Sequence, residues 1–239
     1  MIESLISNLR TRDALTAPDE DAVRDLFQHE NRFRAGEDIV VQGSRPVNST
    51  LLLEGLAARY RLLEDGKRQI TVLHIGGDFV DLHAFILKQM DHGVIALTDC
   101  HTLAAPHRRL QAVTEENPHL TRMFWLLTLI DGSIHREWIT AMGRREIKGH
   151  MAHLICEMFY RYRAVDLIEG QTFRFPITQA ILADVMGVST VHVNKTLQIL
   201  RSDGLLIWKD GRVQIPDLQA LETLAEFDPL YLHFQSESR

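Results

Sequence analysis

Cysteine is nearly missing from this 239-residue chain: Cys100 and Cys156 are the only two. Two isolated thiols argue against a disulfide framework, and a reducing, cytoplasmic setting is the expectation. Long hydrophobic runs are lacking as well. Stretches such as MFWLLTLI (123–130) fall far short of the roughly 20 residues that cross a bilayer, so no membrane partner is expected. The opening MIESLISNLRTRD carries charge early, lacks an apolar segment followed by a small-residue cleavage site, and reads as uncleaved. Positive charge is not in excess either. A net charge of −6 speaks against a protein that coats nucleic acid by bulk electrostatics, though not against DNA binding through one local basic surface. No Ser-His-Asp set, P-loop or dinucleotide fingerprint is present. The glycines of HIGGDF close a strand with no helix after it and read as a turn.

With 45% hydrophobic and 24% charged residues, the chain has the make-up of a globular protein and the length for two domains. Acids gather near the start, at Asp19, Glu20, Asp21 and Asp25. Bases gather later: Arg144, Arg145, Lys148, Arg161 and Arg163 face only Glu146 and Glu157, and between Ser189 and Ser202 Lys195 and Arg201 meet no acid.

Three textures follow one another. Residues 16–30 read as a helix capped by Thr16 or Asp19. From about 32 to 110, short β-like runs (DIVVQG, STLLLEG, LAARYRLL, RQITVLHIGG, HGVIALTDC) recur about every ten residues between glycine-bearing turns. That spacing predicts a sandwich or barrel of the jelly-roll kind, with Asp65-Gly66 as its clearest hairpin turn. Asn117-Pro118 then opens a long helix, Asn117 as N-cap and Pro118 in the first turn. Along it Leu120, Phe124, Leu127, Ile134, Trp138 and Ala141 alternate at four and three residues, with Asp131 as a polar interruption and Gly143 as the expected break. Such a heptad seam fits either packing on the chain's own β-domain or a coiled-coil dimer.

The segment 144–225 reads as helical apart from a short hairpin in LLIWKDGRVQI. Thr178 caps a helix through Ile181, Leu182 and Val185; Gly187 permits a tight turn; Ser189 caps the next helix; and Val193, Leu197 and Leu200 pack it down. This is a helix-turn-helix followed by a β-wing, and such units place the second helix in the major groove of double-stranded DNA. The candidate DNA-contacting residues are Thr178, Ser189, Thr190, Val191, His192, Asn194, Lys195, Gln198 and Arg201, whose hydroxyl, amide, amine and methyl groups are those used in base readout.

The order of RFRAGEDIVVQG, LLLEG, DGKRQITVLHIGGDF and the ITQAILADVMGVSTVHVNKTLQILRSDGLLIWKDGRVQI tail resembles the Crp/Fnr superfamily of bacterial transcription regulators over roughly residues 20 to 215. The resemblance implies an α+β chain: a cyclic-nucleotide-binding-like β-roll sensor domain (1–115), a dimerisation helix (116–143), a winged helix-turn-helix domain (144–225) and a C-terminal tail (226–239). It also implies a homodimer on a palindromic operator, joined through Leu120, Phe124, Leu127, Ile134 and Trp138, in contact with RNA polymerase, and no enzymatic activity.

The family's effector residues do not carry over. Cyclic-AMP-binding members have a Gly-Glu pair after GDF and an Arg-Ser pair one strand later. Here Gly77-Asp78-Phe79 leads into Val80-Asp81-Leu82-His83, and KQMDHGVIAL has no arginine, leaving Lys88 as a lone point charge. Two cysteines cannot supply the four thiolates of an iron–sulfur cluster. No cofactor is expected. Of the twelve histidines, His74, His83, His92 and His101 recur every nine residues, a spacing that alternates strand faces, while His150 and His153 share one helix face that reads as polar surface near DNA. A haem- or metal-dependent sensor is the alternative within the family, and a cupin-like metal enzyme, which wants an H-x-H pair that this β-domain lacks, a remote one outside it. Cys100 reads as a small core residue rather than a redox handle. Relatives reading TGTGA- or TTGAT-type half-sites carry glutamate where Val191 stands and arginine where Lys195 stands, so the operator should differ from theirs.

Overall fold

The computed structural model describes residues 2–238. Helices α1 (Glu3–Arg10) and α2 (Ala17–Asp25) precede strands β1 (His29–Phe33), β2 (Asp38–Val40), β3 (Asn48–Glu54), β4 (Ala57–Leu62) and β5 (Arg68–His74). The one-turn α3 (Ala84–Leu87), strands β6 (Gly93–Ala96) and β7 (Cys100–Pro106), and helix α4 (His107–Glu116) complete the sensor half. The long α5 (Pro118–Arg144) leads to α6 (Ile147–Ala164), a hairpin of β8 (Ile168–Glu169) and β9 (Thr172–Arg174), α7 (Gln179–Met186) and α8 (Thr190–Ser202). Strands β10 (Ile207–Lys209) and β11 (Arg212–Gln214), α9 (Leu218–Ala225) and a 3-10 turn, Pro229–Leu232, end the chain.

Alternating apolar strand residues build two antiparallel sheets, ordered β1-β7-β3 and β2-β6-β4-β5. Leu52 and Cys100 of the first share a core with Val40, Ala57, Val94 and Ala96 of the second, so the sheets face each other as a sandwich. The hairpin joining β4 to β5 turns at Gly66, whose φ of +81° suits the residue chosen there. Helix α2 is capped by both expected residues: Thr16 and Asp19 form a reciprocal capping box. It ends at Asp25 rather than near 30, because residues from His29 onward pair with β7.

Asn117 caps α5, accepting from the Leu120 amide at 2.9 Å. The helix runs through Gly143 and ends only at Arg145, which is extended; one glycine near an end costs a helix about 1 kcal/mol, too little to break it. The seam read from its heptads is filled from within the chain. Leu120 and Phe124 are buried under the sensor sandwich with α1 and α2, and Leu127 packs at the edge of that cluster. Ile134 and Trp138 are buried against α6, Trp138 at 4% exposure. The exposed stripe of α5 is a different one. Trp125 (65% exposed), Leu129, the half-buried Gly132, Arg136 and Ile139 (66%) repeat at four and three residues on the outer face.

The C-terminal half holds more β-structure than its sequence suggests. β8 and β9 join the wing strands in one sheet, ordered β10-β11-β9-β8, with Phe173 and Phe175 facing its core. Residues 226–238 fold back instead of trailing: Leu232 is buried, and the Glu237 amide donates to the Arg12 carbonyl at 2.9 Å. The basic run of 144–163 is largely spent on ion pairs. Arg145 meets Glu137, Lys148 meets Asp203, and Arg161 is buried between Asp78 and Glu157.

Candidate DNA interface and sensor interior

Gly187, with φ +67°, turns the chain between α7 and α8, and Ser189 caps α8 by accepting from the His192 amide. Val193, Leu197 and Leu200 are buried against α7 as the spacing requires, joined by Thr196, whose hydroxyl donates to the His192 carbonyl. That packing turns Thr190, Val191 (75% exposed), His192, Lys195 and Gln198 toward solvent. Thr178 sits exposed at the start of α7, accepting from the Ile181 amide.

Two candidate residues have local partners. Asn194 is half-buried and donates to Gln179 Oε1 at 3.1 Å, which ties α8 to α7 near the exposed face. Arg201 donates to the Trp208 carbonyl at 2.8 Å and so anchors the wing strand β10 to the end of α8. The wing turn, Asp210-Gly211, has positive φ at both residues, as a two-residue hairpin of this type needs. With Lys209 exposed beside it and Arg212 paired with Glu169, the surface of α8 and the wing presents hydroxyl, ammonium and amide groups.

The whole unit is docked on the sensor. Arg68 at the start of β5 pairs with Asp184 of α7 at 2.7 Å, and the Gln69 side chain donates to the carbonyls of Asp184 and Val185. On α6, Arg161 reaches Asp78 of the GGDF turn at 2.6 Å. Glu157 behind it is fully buried, accepting from Trp138 Nε1 at 2.9 Å and Tyr231 Oη at 3.0 Å; burial pushes its carboxyl up while Arg161 opposes that. His150 and His153 are not polar surface near DNA: both are buried. His153 stacks on Tyr231, and burial lowers its imidazole to about 3 and that of His150 to about 4.

The sensor interior is charged to a degree that the sequence did not signal. Arg59 stands at an inward-facing position of β4 and pairs with Asp131 of α5 at 2.7 Å, which accounts for the polar interruption in the heptads. His74, Asp78, His83 and Arg161 line the same region between sandwich and helices. The nine-residue histidine interval does bring two members together. The α3 turn folds His83 onto His92, their Nε2 atoms 3.3 Å apart, while His92 Nδ1 meets Asp91 at 2.6 Å. His101 lies elsewhere, on β7 against Glu30. Burial is the main cause lowering both imidazoles, that of His83 to about 4, with Arg59 adding to it. Among the described residues no group of three or more His, Cys, Asp and Glu is arranged to hold a metal.

Where a cyclic nucleotide's ribose and phosphate would sit, the chain offers other chemistry. Asp81 is buried and accepts from the Thr50 amide, and burial pushes its carboxyl up to about 7. Lys88 is exposed and donates to the Phe85 carbonyl. Cys100 and Cys156 are both buried, and burial raises both thiols. No described helix is long and apolar enough to cross a membrane.

Comparison with known proteins places this geometry. Residues 30–117 match the cyclic nucleotide-binding domain family and residues 149–224 the Crp-like helix-turn-helix domain family. The nitrogen fixation regulation protein FixK of Bradyrhizobium diazoefficiens is 27% identical over 222 residues, covering 91% of each chain. The transcriptional activator protein FnrL of Cereibacter sphaeroides is 24% identical over 197 residues, covering 81% of this chain and 79% of its own. The solved structure of FixK2 from Bradyrhizobium japonicum superposes with a TM-score of 0.75 at 21% identity, over 82% of this chain and 96% of that one.

Proposed function

Because this chain belongs to the Crp/Fnr superfamily of DNA-binding transcription regulators, we propose that it binds a palindromic operator as a homodimer, with α8 of each copy in the major groove. The observation that carries this reading is the exposed face of α8. Five consecutive-turn positions, Thr190, Val191, His192, Lys195 and Gln198, stand free of the core and carry no acid, on a helix whose other face is anchored by Val193, Leu197 and Leu200. Lys195 and Gln198 reach base edges, Val191 meets a thymine methyl, and Thr178 and Ser189 contact backbone phosphates. Asn194 and Arg201 act one step back, holding α8 to α7 and to the wing. With valine at 191 there is no carboxylate to accept from cytosine N4, so the half-site differs from those read by a glutamate there.

Self-association uses the outer stripe of α5, Trp125, Leu129, Gly132 and Ile139, rather than the inward seam. These residues follow the four-three rhythm of a parallel coiled coil, and unpartnered they would expose a large apolar strip. Contact with RNA polymerase is part of the same reading, supported by relatives such as FnrL being transcriptional activators. Selection of bound fragments from random DNA by the purified full chain tests the reading. A palindromic consensus with one α8 per half-site is the expected result; recovery of no enriched sequence would reject it. Metal dependence has less support, since His83 meets His92, His92 meets Asp91 through its other nitrogen, and no three such groups among the described residues are arranged to hold a metal.

A further inference from the structure

Residues 227–238 leave the DNA-binding half after α9 and come to rest on the sensor half. Glu226, just past α9, and His233, just past the 3-10 turn, hold left-handed φ values of +47° and +51°. A residue with a side chain keeps that conformation only where its surroundings impose it. Between them, Leu232 is buried in one apolar cluster with Ile130 and Ile134 of α5 and Phe159 of α6. Beyond them, the segment seats on Arg12, two residues past α1. Arg12 Nη2 donates to the Leu232 carbonyl at 3.4 Å, and its guanidinium carbon stands 5.0 Å from the centre of the Phe234 ring. The Arg12 carbonyl in turn accepts from the Glu237 amide at 2.9 Å. That seat is held from α5 as well, where the two ring nitrogens of His119 meet Asp13 and Asp19 at 3.1 and 3.0 Å.

These contacts close a ring. Tyr231 Oη donates to Glu157 Oε2 at 3.0 Å, Arg161 Nη1 donates to Glu157 Oε1 at 3.3 Å, and Arg161 Nη2 reaches Asp78 at 2.6 Å. Beside Asp78, the Gly77 carbonyl accepts from Asn8 Nδ2 at 3.4 Å. The Asn8 carbonyl and side-chain oxygen accept from Arg12 Nη1, and Arg12 leads back to Leu232. Asn8, Arg12, Glu157 and Arg161 are all buried, so each link works at low dielectric, where the loss of one partner is felt by the next. We propose that residues 227–238 are a strap that completes this ring and thereby fixes the DNA-reading half against the sensor half in one pose. Its consequence rests on the regulator reading. A reading helix free to swing is competent only part of the time, and apparent affinity falls by that fraction. Arg68 and Gln69 hold α7; the strap adds a second hold, on α6.

Hydrogen exchange of the full chain tests the ring by its crossed effects. Phe234→Gly touches only the Arg12 seat, yet exchange in α6 around Glu157 should rise about threefold or more. Tyr231→Phe touches only the Glu157 end, yet exchange in α1 and at residues 76–78 should rise likewise. Phe234→Tyr, which keeps a ring over Arg12, should match the wild type. Against the selected operator, Phe234→Gly should bind about fivefold more weakly. Faster exchange confined to the mutated end in both variants overturns the ring. Operator affinity that is unchanged in Phe234→Gly, or tightened as release of an autoinhibitory contact would make it, overturns the strap as the element that sets the pose. A wild-type chain that selects no operator rejects the regulator reading, while the exchange pattern still judges the ring, so the two fail separately.

Discussion

The carboxylate of Asp184, on the first helix of the helix-turn-helix, lies 2.7 Å from the guanidinium of Arg68, on the hairpin side of the sensor. Gln69 next to it donates to two carbonyls at the end of the same helix. The DNA-reading unit is thus held by the tip of β5, which the β4–β5 turn leads into, as well as through α6.

Removing that hold should loosen the two halves without unfolding either. The ion pair is about one-third exposed at each end, so Arg68→Ala alone should cost about 0.2–1 kcal/mol. In the double variant Arg68→Ala/Gln69→Ala, differential scanning calorimetry should show thermal unfolding broaden toward two transitions. A single sharp transition at the wild-type temperature would show that the hairpin contributes nothing.

Lys195→Ala should weaken specific DNA binding by about 1–3 kcal/mol and relax preference at the base it contacts, while Val191→Glu should move the preferred half-site toward cytosine-containing sequences. Titration at fixed salt against the selected operator and a point-mutated operator checks both. Unchanged affinity and preference in Lys195→Ala would remove that residue as a reader.

The two faces of α5 make opposite predictions. Trp125→Glu and Ile139→Glu should convert the assembly to monomer in sedimentation velocity and leave the monomer folded. Trp138→Ala should instead cost about 3–5 kcal/mol in denaturant unfolding, because the indole is buried and its Nε1 satisfies Glu157. Dissociation caused by Trp138→Ala without loss of stability would return the seam to the inner face.

Acid should destabilise the protein before it reaches the carboxylate range. His153 falls from an ordinary 6.5 to about 3 because burial disfavours its charged form, with Arg145 and His150 adding to the effect. A depressed imidazole is neutral when folded and binds a proton when unfolded. Its contribution is therefore complete above pH 6.5 and declines as pH falls toward 3, reaching a loss of about 2 kcal/mol at pH 5. His83 and His150 act in the same direction. His153→Phe, which keeps a ring against Tyr231, should flatten the melting temperature between pH 7 and pH 5; an unchanged slope would assign the acid sensitivity elsewhere.

What was legible in the sequence was local. Asn117, Ser189, Thr178 and Thr16 cap the helices that their chemistry announces, Asp65-Gly66 and Asp210-Gly211 make their turns, and the helix-turn-helix core follows from the spacing of Val193, Leu197 and Leu200. The same period leaves α5 ambiguous, because the helix carries two apolar stripes. Leu120, Phe124, Ile134 and Trp138 fit a heptad as well as Trp125, Leu129 and Ile139 do, and only the placement of α6 and the sandwich decides which is buried. Strands β8 and β9 escaped because alternation over Phe173 and Phe175 is too short to register. The buried charges were invisible for a related reason: Arg59 and Asp131 are 72 residues apart, and nothing local marks an arginine as inward-facing until its partner is known.

The two stripes of α5 sit on one rod. Trp138 faces the chain's own interior and Ile139 the outside, one residue and about 100° around the helix from each other. Such a helix works as an axle: it cannot roll to improve its fit on one side without turning the other by the same angle. Arg59, through Asp131, holds that rod from the sandwich side, so the ion pair bears on the angle at which the outer stripe is presented.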